Sequence, residues 1–558
     1  MTRSWNVWIR VCLAALSGLL AGYAALAVAE LVSAAVRPQS SPVVAVGGAA
    51  IDRTPPAVKD WAIRHFGTND KLVLQLGILA VLALFAMLLG VVALRYRRTG
   101  AAGVVLFGVV GALAATSRPD STGAADALPS LVGTVVAAGL LFWLIGRLRT
   151  HRPSPAAVSG PAAAEPAPTG ADVPAGGDET ASHRVEGTAS DGWDRRGFVV
   201  AATAAAVAST GAGWLGLSLN GSSGQSAVAS RSKVVLPRPA SPAAALPKGT
   251  ELRIPGISPF FTPNADFYRV DTALVVPKVD ATTWRLTIHG KGVSRPRTVT
   301  FEDLIHGRAG ELIERDVTLA CVSNEVGGPY VGNARWIGVR LADLLREVGV
   351  VPPSKGGPAD QLVARSVDGM TIGSPVEDVM DGRDAMLAVG MNGQPLPFEH
   401  GFPVRMLVPG LFGYVSACKW IEDIELTTFD AYDSYWVKRS WARRGPIKTE
   451  SRIDTPKPFA RPRQGTVMVA GVAWAQHRGI DRVEIRVDDG PWQPADLAAQ
   501  DTTDTWRQWS FPWNATTSGS HTLTVRATDR TGTVQTEKRT PTIPDGASGW
   551  HSVVVTVQ

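Results

Sequence analysis

At 558 residues the chain is longer than one hydrophobic core organises, and its length points to roughly three or four folded units. Lys and Arg number 55 against 49 Asp and Glu, a formal net charge of +6, and the basic residues are not interleaved with aromatics into a patch, which argues against a nucleic-acid partner. There are 3 cysteines, one of them (Cys12) inside an apolar run, so no disulfide framework can be read.

In chain order, Val7 to Ala29, Leu72 to Leu94 and Leu128 to Leu148 are apolar runs near the ~20 residues needed to cross a bilayer, and Gly100 to Thr116 is a shorter fourth. A buried core helix would account for one such run, but not for four in succession that are almost free of internal charge. Residues 1–150 therefore read as a four-helix transmembrane region. The basic clusters Arg95-Tyr-Arg-Arg98 and Arg147-Leu-Arg-Thr-His-Arg152 follow the second and fourth spans, and the positive-inside bias puts both in the cytoplasm, together with an N-terminus carrying Arg3 and Arg10. The nearest histidines, His65 and His151, fall in connecting segments, so bis-histidine haem within the spans is not supported.

Residues 151–194 are Ala, Pro, Gly, Ser and acidic residues without apolar periodicity, and they read as a disordered cytoplasmic linker. Arg195-Arg196-Gly-Phe198 then opens an Ala-rich apolar run, so residues 195–220 read as a fifth transmembrane helix. The paired arginine is either a stop at the membrane face or a twin-arginine-like export signal, and both readings send the chain outward. The expected location is thus a multi-pass membrane protein whose remaining residues lie outside the cytoplasm. Ala227-Val-Ala229 before Ser230 resembles a small-residue cleavage site, although four preceding spans favour retention.

From 250 to 452 the glycine and proline density is that of a compact α+β domain, with strand candidates Trp284 to Ile288 and Leu362 to Ala364. A helix candidate runs from Val339 to Val348, with Val339, Leu341, Leu344, Leu345 and Val348 on one face. From 455 to 558 the texture is period-two: Val467 and Val469, Val483, Ile485 and Val487, Leu523, Val525 and Ala527, and Val553, Val555 and Val557 alternate with mostly polar or small neighbours. With Asp489-Gly490 as a hairpin-type turn, this predicts an immunoglobulin-like β-sandwich.

The stretch with most chemistry is Thr318-Leu-Ala-Cys321-Val-Ser-Asn324-Glu-Val-Gly327-Gly328, where a cysteine follows an apolar run and opens a glycine-bearing loop. A thiolate there is a soft, electron-rich ligand for a redox metal, whereas a lone cysteine is more often a small buried core residue. Its company lies further on, in His400-Gly-Phe-Pro-Val-Arg405 and Ser416-Ala-Cys418-Lys419-Trp420, which set hydrogen-bonding and cationic side chains among glycines. Taken singly, such a His or Lys is more often a surface or turn residue, and Trp336 and Trp420 read as packing residues.

Together these segments resemble the sulfite-oxidase family of molybdopterin enzymes, over roughly Pro255 to the C-terminus. The resemblance implies an α+β molybdopterin-binding domain followed by a sandwich like the family's dimerisation domain, hence homodimer contacts, with a bare spacer as the alternative. It implies molybdenum and molybdopterin as cofactors, with Cys321 as the metal ligand. Asn264, Phe267, Tyr268 and Arg269 match the family's first pterin-contacting segment, and Ser366 matches a residue just after a central strand. The expected cofactor-binding set is Asn264, Phe267, Tyr268, Ser366, His400, Arg405, Ser416, Cys418 and Lys419; the expected catalytic set is Cys321, Tyr268, Arg269 and Arg335. Sulfite-oxidising members follow the ligand cysteine with paired arginines, whereas this loop has Glu325, which would repel an anion, so Arg269 or Arg335 would have to rebuild an oxyanion site. The implied activity is two-electron oxygen-atom transfer on a small oxyanion or sulfoxide-type substrate, served by an electron-transfer partner that the sequence does not name. A non-catalytic extracytoplasmic binding protein on the same fold is the alternative.

Overall fold

The computed structural model describes residues 2–55, 58, 65–66, 70–118, 121, 123–149 and 195–558; the segment read as a linker, 151–194, lies outside the described residues. The chain forms two compact units, Met1–Ser117 with Thr122–Leu219, and Arg118–Ser121 with Asn220–Gln558.

The first unit is helical: α1 (Thr2–Val36), α2 (Pro42–Arg53), α3 (Asp70–Arg95), α4 (Arg97–Thr116), α5 (Leu128–Arg149) and the start of α6 (Arg195–Lys233). Among the described residues, 5 helices are long and apolar enough to cross a membrane: Val7–Val36, Leu72–Arg95, Arg97–Thr116, Ala124–Arg149 and Arg196–Lys233. Small residues let these helices meet backbone to backbone. A Cβ on Gly18 would strike the Ala86 carbonyl, and one on Gly90 the Ala14 carbonyl, so α1 and α3 touch where both lack side chains. Arg37 and the fully buried Asp126 pair at 2.9 Å. The short α2, an apolar helix lodged against its neighbours, was not foreseen because it is too short to register as a span.

The second unit holds the mixed domain and the sandwich. Its strands are β1 (Arg285–Gly290), β2 (Arg297–Thr300), β3 (Leu312–Ala320), β4 (Val331–Arg340), β5 (Gln361–Ser366), β6 (Thr371–Pro375), β7 (Met386–Met391), β8 (Gln394–Pro395), β9 (Arg405–Leu407) and β10 (Ile421–Thr427). One sheet runs β2-β1-β10-β5-β6 and the other β3-β4-β7-β8, with β9 also on β7. β1 and β10 are parallel, and the remaining pairs are antiparallel. The helix expected from Val339 begins instead at Leu341 and ends at Glu347, because Val339 is the penultimate residue of β4. β4 is covered on both faces, and such a strand reads as an apolar run that periodicity cannot tell from a helix.

The sandwich pairs β11 (Glu450–Thr455), β12 (Gly465–Trp474), β15 (Asp496–Leu497) and β16 (Arg507–Ala515) as β11-β12-β16-β15. Its second sheet is β14-β13-β17-β18, from β13 (Ile480–Val487), β14 (Gln493–Pro494), β17 (Gly519–Asp529) and β18 (His551–Val557). The alternating residues Val483, Ile485, Leu523, Val525, Ala527, Val553, Val555 and Val557 form its buried core.

The two bodies of this unit are stitched along β3. The Thr318 amide donates to the Asp504 carbonyl (2.9 Å), its hydroxyl accepts from the Trp506 amide (2.8 Å) and donates to Asn333 Oδ1 (2.9 Å), and its carbonyl accepts from Gln476 (3.0 Å). The Trp506 indole donates to the Phe260 carbonyl at 2.9 Å, and Trp474 and Trp506 belong to the core of the mixed domain.

The end of α6 packs on the same domain. Ser230 Oγ accepts from the Ala281 amide (3.1 Å), and Arg231 donates to the Leu396 (2.7 Å) and Pro395 (2.9 Å) carbonyls. The cleavage-site-like Ala227 to Ser230 is therefore helical, with Ala227 fully buried, rather than an extended and accessible segment.

Candidate active site

Cys321 lies one residue beyond β3, at the start of the loop that returns the chain to β4. Its amide donates to the Tyr330 carbonyl (2.9 Å), and its carbonyl accepts from the Asn324 amide (3.0 Å). Asn324 closes the loop by accepting the Tyr330 amide on Oδ1 at 2.7 Å. Gly327 has φ +80°, and a Cβ there would overlap the His551 ring, so glycine is required where the loop meets the sandwich. Arg452 of β11 donates to the Gly328 carbonyl at 2.8 Å, which makes the sandwich part of the loop's support.

The thiol enters a cavity whose lining includes Phe267, Tyr268, Asp271, Asp368, His400, Arg405 and Lys419. Cys321 Sγ is 2.9 Å from Ser323 Oγ. Burial pushes the thiol pKa up, partly offset by Ser323 and the nearby Lys419 ammonium. A bound metal cation would override that preference and hold the thiolate.

Arg405, on β9, is only 5% exposed. It donates to the His400 carbonyl at 3.2 Å and its guanidinium lies 5.1 Å from the Trp336 ring centre, but its buried Nε has no partner. Burial lowers its pKa to about 10, and no carboxylate is among the charges acting on it. A buried cation without a counter-ion costs several kcal/mol until an anionic or polar group meets it. Ser366 Oγ, at the end of β5, is fully buried and likewise unpartnered.

His400 Nε2 donates to the Asn264 carbonyl at 3.0 Å, leaving Nδ1 as an acceptor. Burial, followed by the Arg405 charge, holds its pKa at about 4, so the ring is neutral near pH 7. Asn264 is fixed by Asn392 (2.9 Å) and by the Met391 carbonyl (3.3 Å). Phe267 and Tyr268 stack at 5.1 Å, and burial, together with Cys321, raises the Tyr268 phenol so that it stays protonated. Lys419 pairs with Asp271 at 2.8 Å, donates to the Glu399 carbonyl at 3.2 Å and lies over the Trp420 ring at 4.6 Å.

Several expected residues are not brought into the cavity wall, Asn264 and Ser366 among them. Arg335 points to Asp316, with two contacts of 2.7 Å, and lies over Phe261. Arg269 is partly exposed and reaches Asp271 at 3.2 Å. The Ser416 hydroxyl is used by the Leu411 and Phe412 carbonyls (3.0 and 3.1 Å), because the short Gly413–Ser416 helix turns it onto its own backbone. Cys418 is completely buried, and burial raises its thiol pKa. Glu325 is exposed and outside the lining; the carboxylates that do line the cavity are Asp271 and Asp368. The sequence reading missed these two, together with an apolar and aromatic wall of Val270, Met370, Tyr414, Trp436 and Trp441. Asp271 sits two residues after Arg269, a weak cue, and the two tryptophans carried no cue beyond their density.

A half-buried thiol at a strand end, a neutral imidazole and a guanidinium without a carboxylate partner share one cavity wall, an arrangement suited to an oxidoreductase that carries its reactive group as a cofactor. The description "Oxidoreductase molybdopterin binding domain" matches residues 273–436, and "Bacterial Ig domain" matches 450–525. The mitochondrial sulfite oxidase of Mus musculus is 29% identical over 293 residues, 45% of this chain and 53% of that protein. Nitrate reductase [NADH] 1 of Oryza sativa subsp. japonica is 34% identical over 201 residues, 32% of this chain and 21% of that protein. The solved structure of the sulfane dehydrogenase SoxCD from Paracoccus pantotrophus aligns with TM-score 0.45 at 24% identity, covering 54% of this chain and 84% of that one. Residues 273–436 thus match the molybdopterin-binding domain of sulfite-oxidase-type oxidoreductases, and the chain spans about half the length of the sulfite oxidases it matches.

The residues present fit the pterin group. Arg405 Nε is buried without a partner in the cavity wall and His400 Nδ1 remains an acceptor there, so charge and hydrogen-bonding capacity are left for a polar, anionic ligand beside the thiol, while Ser366 Oγ, also buried and unpartnered, lies outside the lining.

Proposed function

We propose that the chain is a membrane-anchored molybdenum-cofactor oxidoreductase that performs two-electron oxygen-atom transfer on a small sulfoxide-type substrate outside the cytoplasm. The observation that carries this reading is Arg405, a buried guanidinium with an unpartnered Nε in the wall of the Cys321 cavity. When bound, molybdopterin supplies the two-electron chemistry at its metal.

The chain's own residues do the rest. Cys321 provides the thiolate ligand, Arg405 and Ser366 hold polar edges of the cofactor, and His400 adds an acceptor. Tyr268, kept protonated, offers a hydrogen bond at the thiol side of the cavity. Tyr414, Trp436, Trp441 and Met370 exclude water and favour an apolar substituent on the substrate. Asp271 and Asp368 disfavour an anion, and Lys419 is already engaged by Asp271. A neutral sulfoxide therefore suits the wall better than sulfite does. In the balanced reaction a sulfoxide takes up an electron pair and a pair of protons, its sulfur–oxygen bond breaks, and a sulfide and a water molecule leave. The electrons come from a separate redox partner.

The test uses the full chain purified from a cofactor-competent host. Molybdenum near one per chain, with dye-linked reduction of methyl phenyl sulfoxide exceeding turnover of sulfite or nitrate, is the expected result. Absence of molybdenum would sink the enzyme reading; sulfite as the better substrate would sink the substrate class.

A further inference from the structure

The helical unit contains a cavity of about 310 Å³ between α1, α3, α4 and α5, within the ~300–1,000 Å³ range of small-molecule sites. Its wall is apolar and includes Phe85 and Phe107, whose rings meet at a centroid distance of 4.4 Å with a 38° tilt. What separates it from a packing gap is Ser130. This residue lines the cavity and is 5% exposed, and its hydroxyl has no hydrogen-bond partner.

Ser17, Ser33 and Thr116 of this unit satisfy themselves on their own helices. Ser17 donates to the Leu13 carbonyl (2.8 Å), Ser33 to Glu30 (2.8 Å) and Thr116 to Ala112 (3.0 Å). Tyr23, also in the wall, donates to Thr210 at 3.1 Å. An unmet hydroxyl in an apolar setting is costly, and the cost is removed by a ligand that brings an acceptor. An acyl chain brings none. A flat ring bearing a carbonyl brings one, and the aromatic edge formed by Phe85 and Phe107 gives it an apolar neighbour.

We propose that this cavity binds one lipid-soluble quinone, with a ring carbonyl accepting from Ser130. The choice of a quinone among carbonyl-bearing lipids rests on the oxidoreductase reading above, since a quinone is the membrane-phase carrier of electron pairs. The site itself rests on the cavity and on Ser130 alone.

The test is menaquinone-4 binding by the full chain in phosphatidylcholine nanodiscs. Discs are separated by gel filtration and their quinone is extracted and quantified, with protein-free discs as the baseline. About one menaquinone-4 per chain above baseline is expected. Ser130→Ala, which keeps the shape and removes the donor, should weaken binding about 3–10-fold, the effect of one lost hydrogen bond. Ala83→Phe should fill the space and abolish it, and neither variant should alter dye-linked turnover. Binding no greater than in empty discs, or equal binding by wild type and both variants, overturns the site. Full displacement by excess cholesterol overturns the quinone and assigns an ordinary lipid. Because the readout is binding, quinone retained by a chain that comes molybdenum-free from a cofactor-competent host would defeat the enzyme reading and leave this site standing.

Discussion

Asp271 and Lys419 meet at 2.8 Å in the wall of the cavity that holds Cys321, and their side chains are only 3% and 8% exposed. A pair this deeply buried resists loss of one member more than loss of both, because the survivor keeps its desolvation cost without its counter-charge. Lys419→Ala should therefore destabilise the chain by about 3–5 kcal/mol, less whatever Arg269 recovers at its 3.2 Å contact with Asp271. The double variant Asp271→Asn with Lys419→Met should recover most of the loss. Thermal melting checks this, and a double variant no more stable than the single one would remove the pair from the stability account.

Arg405 has the opposite logic. Its charge is buried without a carboxylate, so it burdens the empty protein and serves the loaded one. Arg405→Met should melt no lower than wild type when both come from a host that makes no pterin, yet hold far less pterin from a competent host. Fluorescence of the released, oxidised pterin quantifies the second half. Full occupancy in the variant would take Arg405 out of the cofactor site.

Cys321→Ser should fold and retain some pterin but lose turnover. The hydroxyl is close in size to the thiol but far less acidic, and so a much poorer soft anionic ligand. Cys418→Ser is the control, since that thiol is fully buried and is not part of the cavity lining. Dye-linked activity and the molybdenum electron paramagnetic resonance signal compare the two. Normal activity in Cys321→Ser with loss in Cys418→Ser would reverse the ligand assignment.

Topology is open to a direct check. A reporter fused after Arg152 should be cytoplasmic and one after Gly249 extracytoplasmic, following the basic clusters and α6. Arg195→Lys combined with Arg196→Lys should block export under the twin-arginine reading. Unchanged export would leave α6 as a membrane anchor only.

Acid should weaken the sandwich through His551. Burial, followed by the Arg452 charge, holds its folded pKa at about 4, and its Nδ1 accepts the Ile453 amide at 3.0 Å, which requires an unprotonated nitrogen. The unfolded chain takes up this proton first, near pH 6.5, so stability present above that pH is lost as pH falls toward 4, by at most ~1.4 kcal/mol per pH unit. His400 titrates with the same sign. Melting curves from pH 7 to 4 should be shallower for His551→Asn than for wild type. Parallel curves would exclude the histidine as the cause.

The parts of the fold that were legible in the sequence are those written in local period. The apolar spans and the alternating valines of β13, β17 and β18 needed no distant information. Val339 was misplaced because a strand buried on both faces loses its alternation. At the site, Cys321, His400, Arg405 and Lys419 stood in motif-like clusters, and the structure gathers them around one cavity. Asp271, Asp368 and Trp441 did not, because only tertiary contacts bring them there. Arg335 and Ser416 show the converse limit: their types and neighbours invited a role at the site, but Asp316 claims the first, and the Leu411 and Phe412 carbonyls claim the second.

Thr318 lies three residues before the proposed metal ligand, and its amide, carbonyl and hydroxyl are all engaged by Asp504, Gln476 and Trp506. The loop that follows is gripped by Arg452 and fitted around His551. The sandwich is thus not an exchangeable module, although its sequence texture changes as abruptly as one. A sandwich grafted from elsewhere would have to bring a carbonyl, an amide, an indole and a guanidinium to the same places, or the strand presenting Cys321 would lose its backing. A change at Thr318 should therefore need an answering change in the 476–506 segment to keep Cys321 in place.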